Sequence, residues 1–191
     1  MPSSKAVEDL LARIKGSSAA ERTGAWFGSG ALGAGAVVPL AGVMRDHPKK
    51  LEVARAAKNA LWQIVRHAGR PAAKEEAKAV VVELVSLLGD DFPTAVRREV
   101  LWMLSEIGGD ECVAAVSTLL FHKDLREDAR CVLQRLPGPG APAALQAALA
   151  RAPEDFKGNL AQSLRARGVA VAAPPCRKLL PTRKTSVKPV K

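Results

Sequence analysis

Few residues of this chain carry groups that do covalent chemistry, and their spacing decides what they could do. Gly28-Ser29-Gly30-Ala31-Leu32-Gly33 matches G-x-G-x-x-G, a pattern that cradles a pyrophosphate when a strand leads into it and a helix leaves it. Residues 19–27 instead read as helix, so these glycines fall at a helix end and suit close helix packing. No cofactor is expected. His47, His67 and His122 are the three histidines, and none has a Cys, His, Asp or Glu at ligand spacing on its own helix face, so no metal is expected. Glu75-Glu76 and Asp90-Asp91 are adjacent carboxylates; their places at a helix start and a turn suit capping and the helix dipole better than paired acid–base work. Cys112, Cys131 and Cys176 form no C-x-x-C pair, and an odd number argues against a disulfide framework. Cys131 reads as a small packed thiol. There is no G-x-S-x-G nucleophile turn. No catalytic residue is assigned, and the chain reads as a non-enzyme.

The residues that recur belong to binding. Trp26, Trp62 and Trp102 are the only tryptophans, and each precedes a glycine by seven residues: Gly33, Gly69 and Gly109. The frame continues with Cys131 before Gly138 and Ala161 before Gly168, in steps of 36, 40, 29 and 30 residues. A period of this size marks stacked supersecondary units. At about 100° per residue, Val96, Val100, Met103, Leu104 and Ile107 make one apolar stripe and Trp102 falls nearly opposite. In the first unit Ala20, Gly24, Phe27, Gly28 and Ala31 are expected on the same stripe, with Trp26 pointing away from it. Four residues before each Trp slot stand Arg22, Lys58, Arg98, Glu127 and Lys157; four after stand Gly30, Arg66, Glu106, Arg135 and Arg165. Stacked, they predict an aromatic strip edged with mostly positive charge. Trp26, Trp62, Trp102, Arg22, Lys58, Arg66, Arg98, Arg135, Lys157 and Arg165 are the candidate partner-binding residues, in the aromatic and Arg composition that interface hot spots favour.

These residues must be carried by helices. Apolar spacing and Gly/Pro breaks predict helices over 6–14, 19–31, 37–44, 50–67, 75–88, 94–107, 112–121, 125–136, 143–151 and 154–167, with no stretch of period two. Short connections make neighbours antiparallel.

Val96-Arg97-Arg98-Glu99-Val100-Leu101-Trp102-Met103-Leu104-Ser105-Glu106-Ile107-Gly108 resembles the second helix of a HEAT-like repeat, of the type found in chromophore-lyase-associated proteins. Cys112-Val113-Ala114-Ala115-Val116 looks like the first helix of the next unit, and Leu125-Arg126 and Leu133 keep the pattern after it. The likeness spans residues 6–168. It is weaker in the second unit, where Gln63 and His67 stand at usual core slots, and in the last, where Phe156 and Leu164 keep the frame while little else does. It implies an all-α right-handed solenoid with units at about 6–35, 36–72, 75–110, 111–140 and 141–168, an armadillo-type array over 1–168. It also implies that the second helices line a concave, ligand-facing wall, and that the function is that of a scaffold. Two other roles occur in proteins of this repeat type: holding a DNA duplex, as in HEAT-like DNA glycosylases, and assisting a chromophore lyase. HEAT-like metal-dependent hydroxylases use His-Glu pairs, which this chain lacks.

Composition bounds the rest. The chain has 191 residues, 48% of them apolar and 4% aromatic, so a core must be built from closely packed Ala, Leu and Val. The net charge is +10, and Arg177, Lys178, Arg183, Lys184, Lys188 and Lys191 supply +6 of it with no acid after residue 168. Residues 169–191, rich in proline and cations, are expected to be a disordered basic tail. The basic balance favours an acidic protein or peptide partner, with nucleic acid the second class. No apolar leader or membrane span is read, and the expected location is the cytoplasm.

Overall fold

The structure, a computed structural model, describes residues 4–172; among these every regular element is helical and there is no strand. In order they are α1 (Ser4–Lys15), α2 (Ala19–Phe27), two 3-10 turns (Gly30–Leu32 and Ala34–Ala36), α3 (Val37–Asp46), α4 (Leu51–Ala68), α5 (Lys74–Ser86), α6 (Thr94–Ile107), α7 (Asp110–Thr118), a further 3-10 turn (Leu119–Phe121), α8 (Arg126–Arg135), α9 (Gly140–Arg151) and α10 (Glu154–Ala166).

Local chemistry sets the ends. Ser18 caps α2, its hydroxyl accepting from Glu21 N at 3.2 Å, as an N-cap serine does. Pro93 and Pro153 stand just before α6 and α10, where a missing N–H costs nothing. Glu75 and Glu76 lie in the first turn of α5, at the positive end of its dipole. Gly108 ends α6 because a Cβ there would come within 2.6 Å of Leu104 O and 2.8 Å of Cys112 Sγ, closer than any side chain tolerates.

The helices pack by a simple rule. Each odd helix packs on the even helix after it, and successive even helices touch, α2 on α4, α4 on α6, α6 on α8 and α8 on α10. The odd helices touch in the same succession from α1 to α9. One continuous core runs through the array from Leu10 to Leu164. On α6 the expected stripe is buried, with Val96, Val100, Met103 and Leu104 inside. The buried arc is wider than the stripe, however, because Arg97, Leu101 and Ser105 are buried too. A helix packed on α4, α5 and α8 at once hides more than one face.

Two expectations are corrected. In α2 the stripe of Ala20, Gly24, Phe27, Gly28 and Ala31 is exposed, Phe27 at 71%. Within α2 the side that packs on α1 and α4 is the one that buries Ala25, so Ala20, Gly24 and Phe27 face solvent; beyond Phe27 the helix gives way to 3-10 turns, which take Gly28 and Ala31 off its register. The tail does not begin at residue 169: Val169 N donates to Leu164 O at 2.9 Å, and Val169 and Val171 pack on the core. The rest of that segment, 173–191 with Cys176 and its six cations, lies outside the described residues.

Two arginines, Arg97 buried and Arg167 half-buried, tie loops down. Arg97, on α6, donates to Asp90 in the preceding turn at 2.6 Å. Arg167, just past α10, spans back to the end of α8, donating to the carbonyls of Leu133, Gln134 and Leu136 through Nη1 and of Gly138 through Nη2.

Candidate functional site

The Trp column and its flanking charges lie on the even helices. Trp102 is 37% exposed. Trp26 and Trp62 are half-buried and packed against the core, which corrects the expectation that all three point away from it. An indole on α2 or α4 is broad enough to cover the seam to a neighbouring element, so only part of its surface reaches solvent. Trp26 meets Phe27 edge to face, with centroids 5.8 Å apart.

The flanking cations do not form the free positive strip expected of them. Lys58 on α4 pairs with Glu99 on α6 at 3.2 Å, and the same carboxylate accepts Trp62 Nε1 at 3.4 Å. Arg98 on α6 pairs with Asp128 on α8 at 2.9 Å and donates to Asp124 O; the hydrogen bond to Asp128, reinforced by its charge, raises the guanidinium above its ordinary value. Arg135 on α8 pairs with Glu106 on α6 at 2.8 Å. Arg126 reaches Asp155 at 2.6 Å and Glu127 accepts from Asn159, both from α8 to α10. Lys157 pairs with Glu154 within α10. Arg66 lies over the Trp62 ring, 5.6 Å from its centroid, Arg22 donates to Gly16 O, and Arg165 is half-buried on α10. The face is therefore a ladder of charge rungs between successive even helices. Each exposed rung adds roughly 0–1 kcal/mol, and its larger effect is to fix which residues of neighbouring helices stand opposite.

Where the ladder opens, it leaves grooves between α4 and α6. One, about 390 Å³, is lined by Trp62, Val65, Arg66, Gly69, Glu106 and Ile107 at the C-terminal half of both helices. A second, about 330 Å³, lies toward their N-terminal ends. Its walls are mainly apolar, from Met44, Pro48, Leu51, Ala54, Pro93 and Val96, and Arg55, Lys58 and Glu99 line it too.

A cluster of cations without carboxylate partners among the described residues lies at the loop edge, outside the helix columns. A groove of about 480 Å³ between the α1–α2 and α3–α4 connections is lined by Lys15, Arg22, Lys49 and Lys50, with Glu52 the one carboxylate among the described residues that line it. Lys15, Lys49 and Lys50 form no ion pair with a described residue, while Glu52 is engaged by Arg55 at 3.0 Å. His47 N to Val43 O and Lys50 N to His47 O close the α3–α4 turn, so Lys49 and Lys50 sit at the start of α4, where a helix dipole repels cations and attracts anions.

The groups weighed for chemistry stand apart from this surface. The glycine run of 28–33 follows α2 as 3-10 turns; Gly30 abuts α4, where a Cβ would come within 3.1 Å of His67 Cβ and 3.3 Å of Gln63 O. Ser29 is buried there, its hydroxyl donating to Trp26 O and Ala60 O. Gln63 and His67 thus face this close approach as half-buried residues. His122 Nδ1 accepts from Asp124 N in its own turn. Cys112 is fully buried, and burial pushes its thiol from an ordinary 9.0 up to about 11. Cys131 is half-buried. Among the described residues no three of His, Cys, Asp and Glu gather as metal ligands would, and no helix is long and apolar enough to cross a membrane.

No family model matches the chain, and no curated protein matches it.

Proposed function

We propose that this chain is a non-catalytic binding scaffold: an α-solenoid of five HEAT-like helix pairs that holds a protein or peptide partner on the face of its even helices. The observation that carries this reading is the α4–α6–α8 ladder. Its inter-helix rungs, Lys58–Glu99, Arg98–Asp128 and Glu106–Arg135, hold a surface in place before any ligand arrives, and a prearranged surface loses less freedom on binding. Trp102 stands exposed on that surface, and grooves flank Trp62. The succession of contacts in which each helix meets its pair and the next helix of its own row supports the solenoid, since repeat arrays are built of nearest-neighbour contacts.

The test is proximity labelling followed by affinity capture in the source cell, comparing wild type with Trp102→Ser and with Trp102→Ser/Arg66→Glu. Trp102 keeps about two-thirds of its surface covered, so both variants are expected to melt below wild type, and circular dichroism at the capture temperature confirms that each remains folded. The reading expects a defined partner to be retained by wild type and depleted at least fivefold by the variants. A partner set identical across all three proteins refutes it.

A further inference from the structure

We propose that the loop edge of the array, where the basic groove of Lys15, Lys49 and Lys50 meets the apolar groove of Leu51, Met44 and Val96, docks an acidic peptide segment carrying one bulky apolar anchor. This deepens the scaffold reading and rests on it for the partner being a polypeptide. It uses a surface separate from Trp102.

Leu51 carries the argument. It is 67% exposed and lines both grooves. On one side of it the wall is mainly apolar: Met44, Pro48, Ala54, Pro93 and Val96 line a groove of about 330 Å³ whose charged members, Arg55, Lys58 and Glu99, are already paired, Arg55 with Glu52 and Lys58 with Glu99. That is the low end of the volume that small ligand sites occupy, enough for a Leu, Met or Phe side chain. On the other side four cations face one carboxylate, and that carboxylate already holds Arg55. Aspartates or glutamates one to three residues from the anchor, at about 3.3 Å each in an extended chain, reach Lys49, Lys50 and Lys15.

The surrounding charges agree. Asp46, the nearest acid on α3, is held low by its hydrogen bond to Arg45, with smaller help from His47 and Lys15, so it is already matched. Lys49 and Lys50 stand at the N-terminus of α4, where cations are disfavoured and α4 has no side-chain cap. An incoming carboxylate relieves that mismatch. A nucleic acid fits less well: phosphate tracks need a stripe of cations, whereas these four are confined to one groove and adjoin an apolar hollow.

The probe is a short fluorescein-labelled peptide with one central Phe among alternating Glu and Ser, followed by anisotropy on the full chain at low and physiological salt. Saturable binding is expected, weakening as salt rises because rim charges are screened. Lys49→Glu/Lys50→Glu and Leu51→Asp should each raise Kd at least about tenfold. Lys78→Glu on α5, remote from the groove, should leave it within about twofold. Replacing the peptide's Phe by Ser should also cost about tenfold. Circular dichroism of each variant confirms that the helices persist. Absence of saturable binding, equal affinity of the Phe and Ser peptides, or equal losses in the Lys78→Glu control overturns the proposal. So does a short DNA duplex that displaces the peptide from the same lysines with a steeper salt dependence. Loss of the proposal on any of these counts leaves Trp102-dependent capture untouched, and failure of that capture leaves peptide binding measurable, so the two readings fall separately.

Discussion

Replacing Arg167 by alanine is expected to loosen the C-terminal end of the array without disturbing its N-terminal half. The last carbonyls of α8 have no partner within their own helix, as at any helix end. Val132 O is taken by Leu136 N at 2.9 Å, but Leu133 O, Gln134 O and Leu136 O receive Arg167 Nη1 at 3.2, 2.8 and 2.7 Å, and Gly138 O receives Nη2 at 3.1 Å. One nitrogen with two hydrogens cannot satisfy three acceptors fully, so the strong bonds are the two shortest. Hydrogen bonds from a charged donor contribute about 1.5–3 kcal/mol each. The carbonyls are only part-buried, and water recovers some of that in the variant, leaving a net loss of about 2–3 kcal/mol. For a chain of this size each kcal/mol moves Tm by about 2–4 °C, so the expected drop is about 4–12 °C. The tryptophans make the assay selective, because all three lie on α2, α4 and α6 while Arg167 acts on α8 and α10. In urea, far-UV circular dichroism of Arg167→Ala should begin its transition at lower denaturant than Trp fluorescence, whereas in wild type the two coincide more closely. Arg167→Lys, which keeps the charge but loses the planar fork, should fall between. Coincident transitions at wild-type midpoints in Arg167→Ala refute the reasoning.

The remaining expectations concern side chains whose environment is unambiguous. Iodide should quench Trp102, the most exposed indole, more than Trp26 or Trp62, so Trp102→Phe should lower the quenchable fraction; a quenchable fraction unchanged by Trp102→Phe contradicts the geometry. Cys112, with its thiol raised from 9.0 to about 11, binds its proton more tightly folded than unfolded. Its stabilising effect is therefore complete below pH 9 and is lost as pH climbs from 9 to 11, so wild type should lose stability over that window more steeply than Cys112→Ala, measured by urea midpoints. Gly108→Ala should cost at least about 2 kcal/mol, since its Cβ meets Leu104 O, Cys112 Sγ and Leu136 Cδ2 at 2.6–3.0 Å, more than overpacking of a flexible site costs. Gly89→Ala, with nothing within 4 Å of the added carbon, should change stability by less than about 0.5 kcal/mol.

How far the sequence carried depends on what each residue type can signal. The α6 stripe was legible because Val96, Val100, Met103 and Leu104 are large, and large apolar side chains at helical spacing have one low-energy place to go. The α2 stripe was not, because Ala20, Gly24 and Gly28 are small enough to sit inside or outside at nearly the same free energy; the lone large residue, Phe27, is exposed. The indoles were legible as a column but not as a depth, since a half-turn of rotation places the same ring over a seam or in solvent.

The neutral ladder escaped the column reading for a geometric reason. Stacked slots compare the same position in successive units, yet the partners stand one position apart. Lys58 lies four residues before Trp62 and meets Glu99, three residues before Trp102; Arg98 lies four before Trp102 and meets Asp128, three before Cys131. The cation of one unit is thus answered by the acid one residue further along the next unit, the offset expected when neighbouring helices are displaced along their axes as they stack. Arg135 and Glu106, both four after their slots, close the other end of the same seam. A strip counted slot by slot sums these cations and overlooks their acids. The lysines left over, Lys49 and Lys50, belong to a connection and to no helix column, so this positive surface was a part that periodicity could not report.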